Sequence, residues 1–357
     1  MRRDSMLQNF AAVTLFCGIG MCLPVSGLFG QATPQVPPAI TASPVAPLPL
    51  TAPFQGSPVT LPPSPTLPLS LNLGVWLGFP TTYISVNGSQ ERMGISTGLN
   101  ANTVSPAAAA RLGIPEGKTK VRVDILDHAI EAPETALKSL QMGLLKLENV
   151  PVAQIDVVSL LSRAPHPDAP TGWLGTPFLA AFQVTLDMSR KVCTLEKPLA
   201  KMPAGALVVP MTLREGRIFV SVSLPKSKPF LAMIDTGTVL TLIPASVGVK
   251  LKLPALEVVK LGNAGKEVQA TLIQVPAVTV GKAECKALRV AYLSADVSPS
   301  FGRETAVLGL DFLSRFKVVF SFASKKVAFM PPVVPDASGA APDTPAPRPQ
   351  GGKKERP

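Results

Sequence analysis

The sequence predicts an all-β protein built from two tandem domains, and three observations carry that reading. The stretch from Asn72 to Met330 repeats itself once. Its apolar runs are short and β-branched, and long helical periodicity is absent. Proline-rich segments bracket it on both sides and separate an ordered middle from extended ends. A length of 357 residues is ample for two cores that need neither staples nor metals.

Residues 1–32 form the first element. Arg2 and Arg3 precede an uncharged apolar run from Phe10 to Leu23, and small residues follow at Val25-Ser26-Gly27 and Gly30-Gln31-Ala32. That order matches a secretory signal peptide. The run is short for a bilayer span, which needs about 20 residues. The expectation is an exported chain in the periplasm, the cell envelope or the extracellular space. A retained N-terminal anchor, giving a membrane tether, is the alternative. Residues 33–71 read as a disordered linker: Thr33 to Ser70 holds 12 prolines, which remove donors and fix φ. Residues 332–357 read as a disordered Pro-rich tail.

The repeat defines the two units, residues 72–199 and 204–331. Met93-Gly94-Ile95-Ser96-Thr97-Gly98 aligns with Met233-Ile234-Asp235-Thr236-Gly237 in a loose match that sets Ser96 opposite Asp235. Each is followed by an apolar stretch and a proline, Pro106 or Pro244. Later, Leu174-Gly175-Thr176-Pro177-Phe178-Leu179 aligns with Leu308-Gly309-Leu310-Asp311-Phe312-Leu313. Two strand-like runs joined by a polar turn close each copy, Phe182 to Leu195 and Phe316 to Met330. One duplicated unit explains all of these matches. Leu310, Leu313 and Phe316 suit one short helix, and Ile218 to Val222 reads as a strand.

Composition excludes several functions. Two His and four Cys leave no His-rich or Cys-rich metal site, and no cofactor is expected. Aromatics at 5% are too sparse for a base-stacking surface, so nucleic acid is not an expected partner. Gly262 to Lys266 lacks the spacing and the following Ser or Thr of a phosphate-binding loop. The overall charge is +11, and it is uneven. The first unit balances 11 basic against 11 acidic residues, whereas the second carries 16 basic and 8 acidic. That excess suits an anionic partner or a solvated basic face.

Asp235-Thr236-Gly237 is the sharpest chemical signal. A buried-strand pattern, Phe230 to Ile234, leads into it, and Thr238 and Leu240-Thr241-Leu242-Ile243-Pro244 follow. With the Leu-Gly-Leu-Asp-Phe-Leu element downstream, the chain resembles the retropepsin-like aspartic peptidases, specifically the bacterial gag-type aspartyl proteases. The resemblance covers Arg217 to Met330 well and the first unit more weakly. It implies two tandem acid-protease domains, the first degenerate, acting on polypeptide. It also implies residue roles. Asp235 is the catalytic carboxylate. Thr236 bridges to a partner loop, Gly237 permits the tight turn, and Thr238 bonds the outer carboxylate oxygen. Gly262, Asn263 and Gly265 form the tip of a flap, for which a plain glycine turn is the alternative.

That chemistry needs two carboxyls sharing one proton, one to take a proton from water and one to donate to the carbonyl oxygen. Ser96-Thr97-Gly98 keeps the Thr-Gly scaffold and lacks the acid. Two arrangements follow. Second units of two chains pair as a homodimer, so that Asp235 meets its mate; this is the preferred expectation, and it makes the chain an endopeptidase. Alternatively the two units of one chain pair, Asp235 faces Ser96, and the chain is a peptide-binding pseudoprotease. A third reading takes Gly94 to Gly98 as the G-x-S-x-G elbow of a serine hydrolase, with Asp124, Asp127, His128, Asp156 and His166 downstream. The strand-helix alternation that such an elbow requires is missing.

Overall fold

The computed structural model describes residues 58–125, 128–161, 168–198, 200–263, 266–293 and 306–331. The first unit contains strands β1 (Leu69–Asn72), β2 (Gly74–Trp76), β3 (Phe79–Val86), β4 (Ser89–Ile95), β5 (Thr103–Val104) and β6 (Thr119–Ile125). Strands β7 (His128–Met142), β8 (Leu145–Gln154), β9 (Gly172–Leu174), β10 (Gln183–Asp187) and β11 (Val192–Glu196) complete it. Its helices are short: α1 (Pro106–Arg111), α2 (Val157–Leu161) and α3 (Thr176–Leu179). The second unit contains β12 (Leu207–Pro210), β13 (Thr212–Arg214), β14 (Arg217–Val222), β15 (Phe230–Ile234) and β16 (Ala255–Asn263). It continues with β17 (Lys266–Val280), β18 (Ala283–Leu293), β19 (Val307–Leu308), β20 (Lys317–Ser321) and β21 (Lys326–Met330), plus α4 (Ala245–Leu251) and α5 (Leu310–Leu313). The all-β, two-domain reading holds.

Local chemistry explains the shared pattern. α1 starts where Pro106 needs no amide partner, and the Ser105 hydroxyl accepts from the Ala108 amide as its cap. Four alanines carry it, and it stops ahead of Gly113 at φ +62. α4 follows Pro244 at the matching place in the second unit. In each unit the long strand β7 or β17 turns back on both neighbours, which gives a curled sheet around a packed interior.

The two units share a sheet and a core. β10 and β20 pair antiparallel, with Thr185 opposite Val319. They thereby join the closing hairpins of both units into one six-stranded sheet, ordered β1-β11-β10-β20-β21-β12. One continuous core contains Phe178, Phe182 and Leu195 from the first unit and Phe312, Phe320 and Phe329 from the second. Burying even a few such aromatic side chains is worth several kcal/mol, at about 1.5–3 kcal/mol each. The lobes are therefore two halves of one body.

One expected boundary is corrected. The Pro-rich linker is expected over 33–71, yet residues 58–71 pack onto the first unit. Val59 and Leu71 are buried, and Leu61, Leu67 and Leu69 pack against the core. β1 pairs with β11 from Leu69↔Leu195 to Asn72↔Val192. The pairing is possible because the prolines end at Pro68 and β1 is an edge strand with a partner on one side only. The leader, the rest of the linker (33–57) and the 332–357 tail lie outside the described residues. Cys193 and Cys285 are buried and unbridged, one in each unit. No helix among the described residues is long and apolar enough to cross a membrane.

Candidate active site

Both Thr-Gly loops are built the same way. β15 runs between β14, antiparallel, and β19, parallel, and it leads directly into Asp235. β4 runs between β3 and β9 in the same senses and leads directly into Ser96. The Asp235 amide donates to the Leu308 carbonyl at 3.2 Å, and the Ser96 amide donates to the Leu174 carbonyl at 3.0 Å. A strand anchored on both sides cannot shift register without exposing its apolar face, so each loop is held at a fixed height.

The loops face each other within the one chain. The Thr97 amide donates to the Thr236 hydroxyl at 3.1 Å, and the Thr236 amide donates to the Thr97 hydroxyl at 3.1 Å. Each hydroxyl donates onward across the interface, Thr97 to the Ile234 carbonyl and Thr236 to the Ile95 carbonyl, both at 2.9 Å. Both threonines are fully enclosed, and every polar group in the lock has a partner. Removing one such partner from a buried site costs about 1–3 kcal/mol. Thr236 thus bridges to Thr97 of the same polypeptide.

Asp235 is 5% exposed. Its Oδ1 accepts from the Gly237 amide at 2.7 Å and from the Ser96 hydroxyl at 3.3 Å. Its Oδ2 accepts from the Thr238 hydroxyl at 2.6 Å. Burial pushes this carboxyl above the usual range, and the bonds from Thr238, Gly237 and Ser96 and the charge of Arg217 pull the other way. The two glycines are required by contact. A Cβ on Gly98 would lie 2.3 Å from the Asp235 carboxyl carbon, and one on Gly237 would lie 2.8 Å from the Ser96 oxygen. Ser96 therefore faces Asp235 within the one chain, the arrangement given above as the alternative to the two-chain pairing. Its hydroxyl is committed to Asp235 at the end of a sheet strand, which leaves the serine-hydrolase elbow without support.

The remaining predicted residues lie at a hairpin. Gly262 and Asn263 end β16, which pairs with β17 as far as Asn263↔Lys266; Gly265 falls outside the described residues. The first unit has a matching hairpin that the sequence reading did not single out, β6 and β7, paired as far as Ile125↔His128. Ile125 joins Leu99, Val157 and Trp173 around Asp235, Ser96, Gly98 and Gly237 in a small cleft. Carrying the repeat offset forward from Ser96 would have located this twin, because Val121-Arg122-Val123 and Val259-Lys260-Leu261 alternate alike.

Asp311 is a second residue whose role sequence reasoning missed. Its Oδ2 accepts from the Thr241 amide at 2.9 Å; its Oδ1 accepts from the Thr241 hydroxyl at 2.6 Å and the Phe312 amide at 2.8 Å. It ties the segment leaving the Asp235 loop to the start of α5, and burial pushes it up to about 6. Pro177 occupies its place in the first unit and accepts nothing there. Asn102 stands in the place of Thr241 there: its Oδ1 accepts from the Gly175 amide at 3.0 Å, as the Thr241 hydroxyl accepts from the Gly309 amide at 3.1 Å.

Among the described residues, no group of three or more His, Cys, Asp or Glu is placed to hold a metal ion. Comparison with known proteins yields two family matches and no curated relative. Residues 222–315, which enclose Asp235 and Asp311, match the gag-polyprotein aspartyl protease family. Residues 82–178, which enclose Ser96 and Pro177, match the aspartyl protease family. With one match on each lobe around equivalent loops, the chain belongs to the retropepsin-like aspartyl proteases as a tandem pair of domains.

Proposed function

We propose that the cleft between the lobes receives an extended polypeptide and that Asp235 is its sole acid–base carboxyl, so that the chain is a one-carboxyl aspartic endopeptidase of low intrinsic rate. The observation that carries this is the Ser96 hydroxyl, 3.3 Å from Asp235 Oδ1 within the same chain. The polypeptide lies as an added strand beneath the β6–β7 and β16–β17 hairpins, which serve as flaps. Ionised Asp235 takes a proton from water while the water oxygen attacks the carbonyl carbon. Once Asp235 holds the proton, the Ser96 hydroxyl turns from it and donates its hydrogen bond to the oxygen that gains charge. Protonated Asp235 then returns its proton to the leaving nitrogen as the C–N bond breaks. Burial supports the first step, because a carboxylate with a raised pKa is a stronger base. A serine donates a hydrogen bond but does not deliver a proton as a second carboxylic acid would. A positioned general acid contributes about 10²–10⁴-fold, and that factor is missing here.

Wild-type chain, Asp235→Asn and Ser96→Asp are compared on an unstructured polypeptide between pH 3 and 8, with mass measured in solution. The expected result is slow cleavage by a monomer, none by Asp235→Asn, and at least about 100-fold more by Ser96→Asp. Cleavage by Ser96→Asp alone would favour the second reading, a peptide-holding pseudoprotease, which the same Ser96 contact supports. Fast wild-type cleavage that rises with protein concentration would overturn the one-carboxyl site in favour of a two-chain dimer.

A further inference from the structure

The rows of side chains behind the two loops differ in kind. In β14 and β15, Phe219 pairs with Met233, and continuing that register by two residues sets Arg217 opposite Asp235. Arg214 pairs with Arg217 across the β13–β14 hairpin. The row reads Arg214, Arg217, Asp235. All three share the face of Phe219, because the Arg214 guanidinium sits 5.7 Å over the Phe219 ring. In the first unit Thr81 pairs with Gly94, which sets Phe79 opposite Ser96, and Trp76 pairs with Phe79. That row reads Trp76, Phe79, Ser96, and its aromatics close on Trp173 in a sealed cluster.

The second-lobe row is open where the first is sealed. Arg214 is exposed, and Phe219, Leu240, Val259 and Leu261 are only partly buried. The Arg217 side chain is 16% exposed and meets Glu215 at 3.4 Å, a long contact for a charged pair. We infer that this half of the cleft is an acidic-residue subsite: Arg217, backed by Arg214, receives a carboxylate of the bound polypeptide next to Asp235, with Phe219 and Leu261 beneath its apolar stem. A guanidinium offers two parallel N–H donors that match a carboxylate, and a partly desolvated site strengthens the pair. The arriving carboxylate takes the place of Glu215 on Arg217. The basic excess of the second unit draws such a peptide toward this lobe.

The inference names the substrate class of the site proposed above and rests on that reading. Its test is binding, which is separable from cleavage. Fluorescein-labelled apolar decapeptides carrying one Glu, Gln or Lys at each position in turn are titrated into the full chain and followed by anisotropy. At one position Glu binds about 10- to 100-fold tighter than Gln, and salt erodes the difference. Arg217→Gln abolishes the preference, Arg217→Lys keeps part of it, and Glu215→Gln strengthens Glu binding. Circular dichroism confirms that each variant is folded. Equal binding of Glu and Gln peptides at every position overturns the subsite and leaves the polypeptide reading standing. Failure of every peptide to bind overturns both.

Discussion

The two lobes carry the same Thr-Gly loop on the same three-strand frame, and they differ in what the loop presents. The second lobe offers a carboxyl with three hydrogen-bond donors and an arginine behind it. The first offers a hydroxyl with an aromatic cluster behind it. The interlock is symmetric, with Thr97 and Thr236 exchanging equal bonds. Scaffold and chemistry are thus separable. A lobe can lose its acid and still be indispensable, because its loop, its half of the shared sheet and its hairpin complete the other lobe's cleft.

The largest expected effect comes from erasing that difference. Ser96→Asp gives both loops a carboxyl and raises peptide cleavage by at least about 100-fold. Two carboxyls in contact share one proton, so its activity is confined to the acid side, and a pH–rate profile reads this directly. Next comes the contrast between glycines. Gly98→Ala drives a methyl into the Asp235 carboxyl and costs about 1–3 kcal/mol in denaturant melts; Gly237→Ala meets the Ser96 oxygen at 2.8 Å and the Asp235 Oδ1 at 3.0 Å, looser contacts, and costs less. Reversal of that order would mean that the Ser96 side of the contact is the tighter one.

A third test probes the symmetric part. Thr97→Val and Thr236→Val each strip a hydroxyl from the lock and leave buried partners unmet, at a cost of about 1–3 kcal/mol apiece. Thermal melts of both variants should show similar losses, and a double mutant should be non-additive because the residues share bonds. The smallest effect concerns Asp311. Its folded pKa is raised to about 6 from an ordinary 3.8, so the folded state binds the proton more readily than the unfolded state. Its contribution is fully present below about 4 and is lost as pH rises through about 6. Asp311→Asn removes this dependence, so the stability gap between wild type and variant should widen from pH 6 down to pH 4. Asn102→Ala, which removes an uncharged loop-to-helix bond in the first lobe, should show no such widening.

Much of this was legible because duplication and strand chemistry are local. The apolar lead into Asp235, the Thr-Gly turn, the short helices after Pro106 and Pro244 and the closing hairpins follow from side-chain alternation and from where proline and glycine fall. The equivalence of Ser96 and Asp235 was readable as well. The twin hairpin ending at Ile125 escaped notice because its residues share alternation and not identity with the second copy. The tie made by Asp311 escaped because the first unit has no copy of it: Pro177 holds its place, and Asn102 holds that of its partner Thr241. Residues 58–71 misled because proline counts do not say where the last proline leaves an edge strand free to pair.

The sequence by itself determined the architecture, the single acid and its serine counterpart, since these depend on which residues neighbour one another along the chain. Which loop meets Asp235 was decided only in three dimensions. Partner choice depends on the β10–β20 ladder and on a core drawn from both units, contacts between residues more than 100 positions apart. No periodicity or motif encodes such a contact. It arises because burying two apolar hairpins against each other within one chain satisfies their backbone and side chains together.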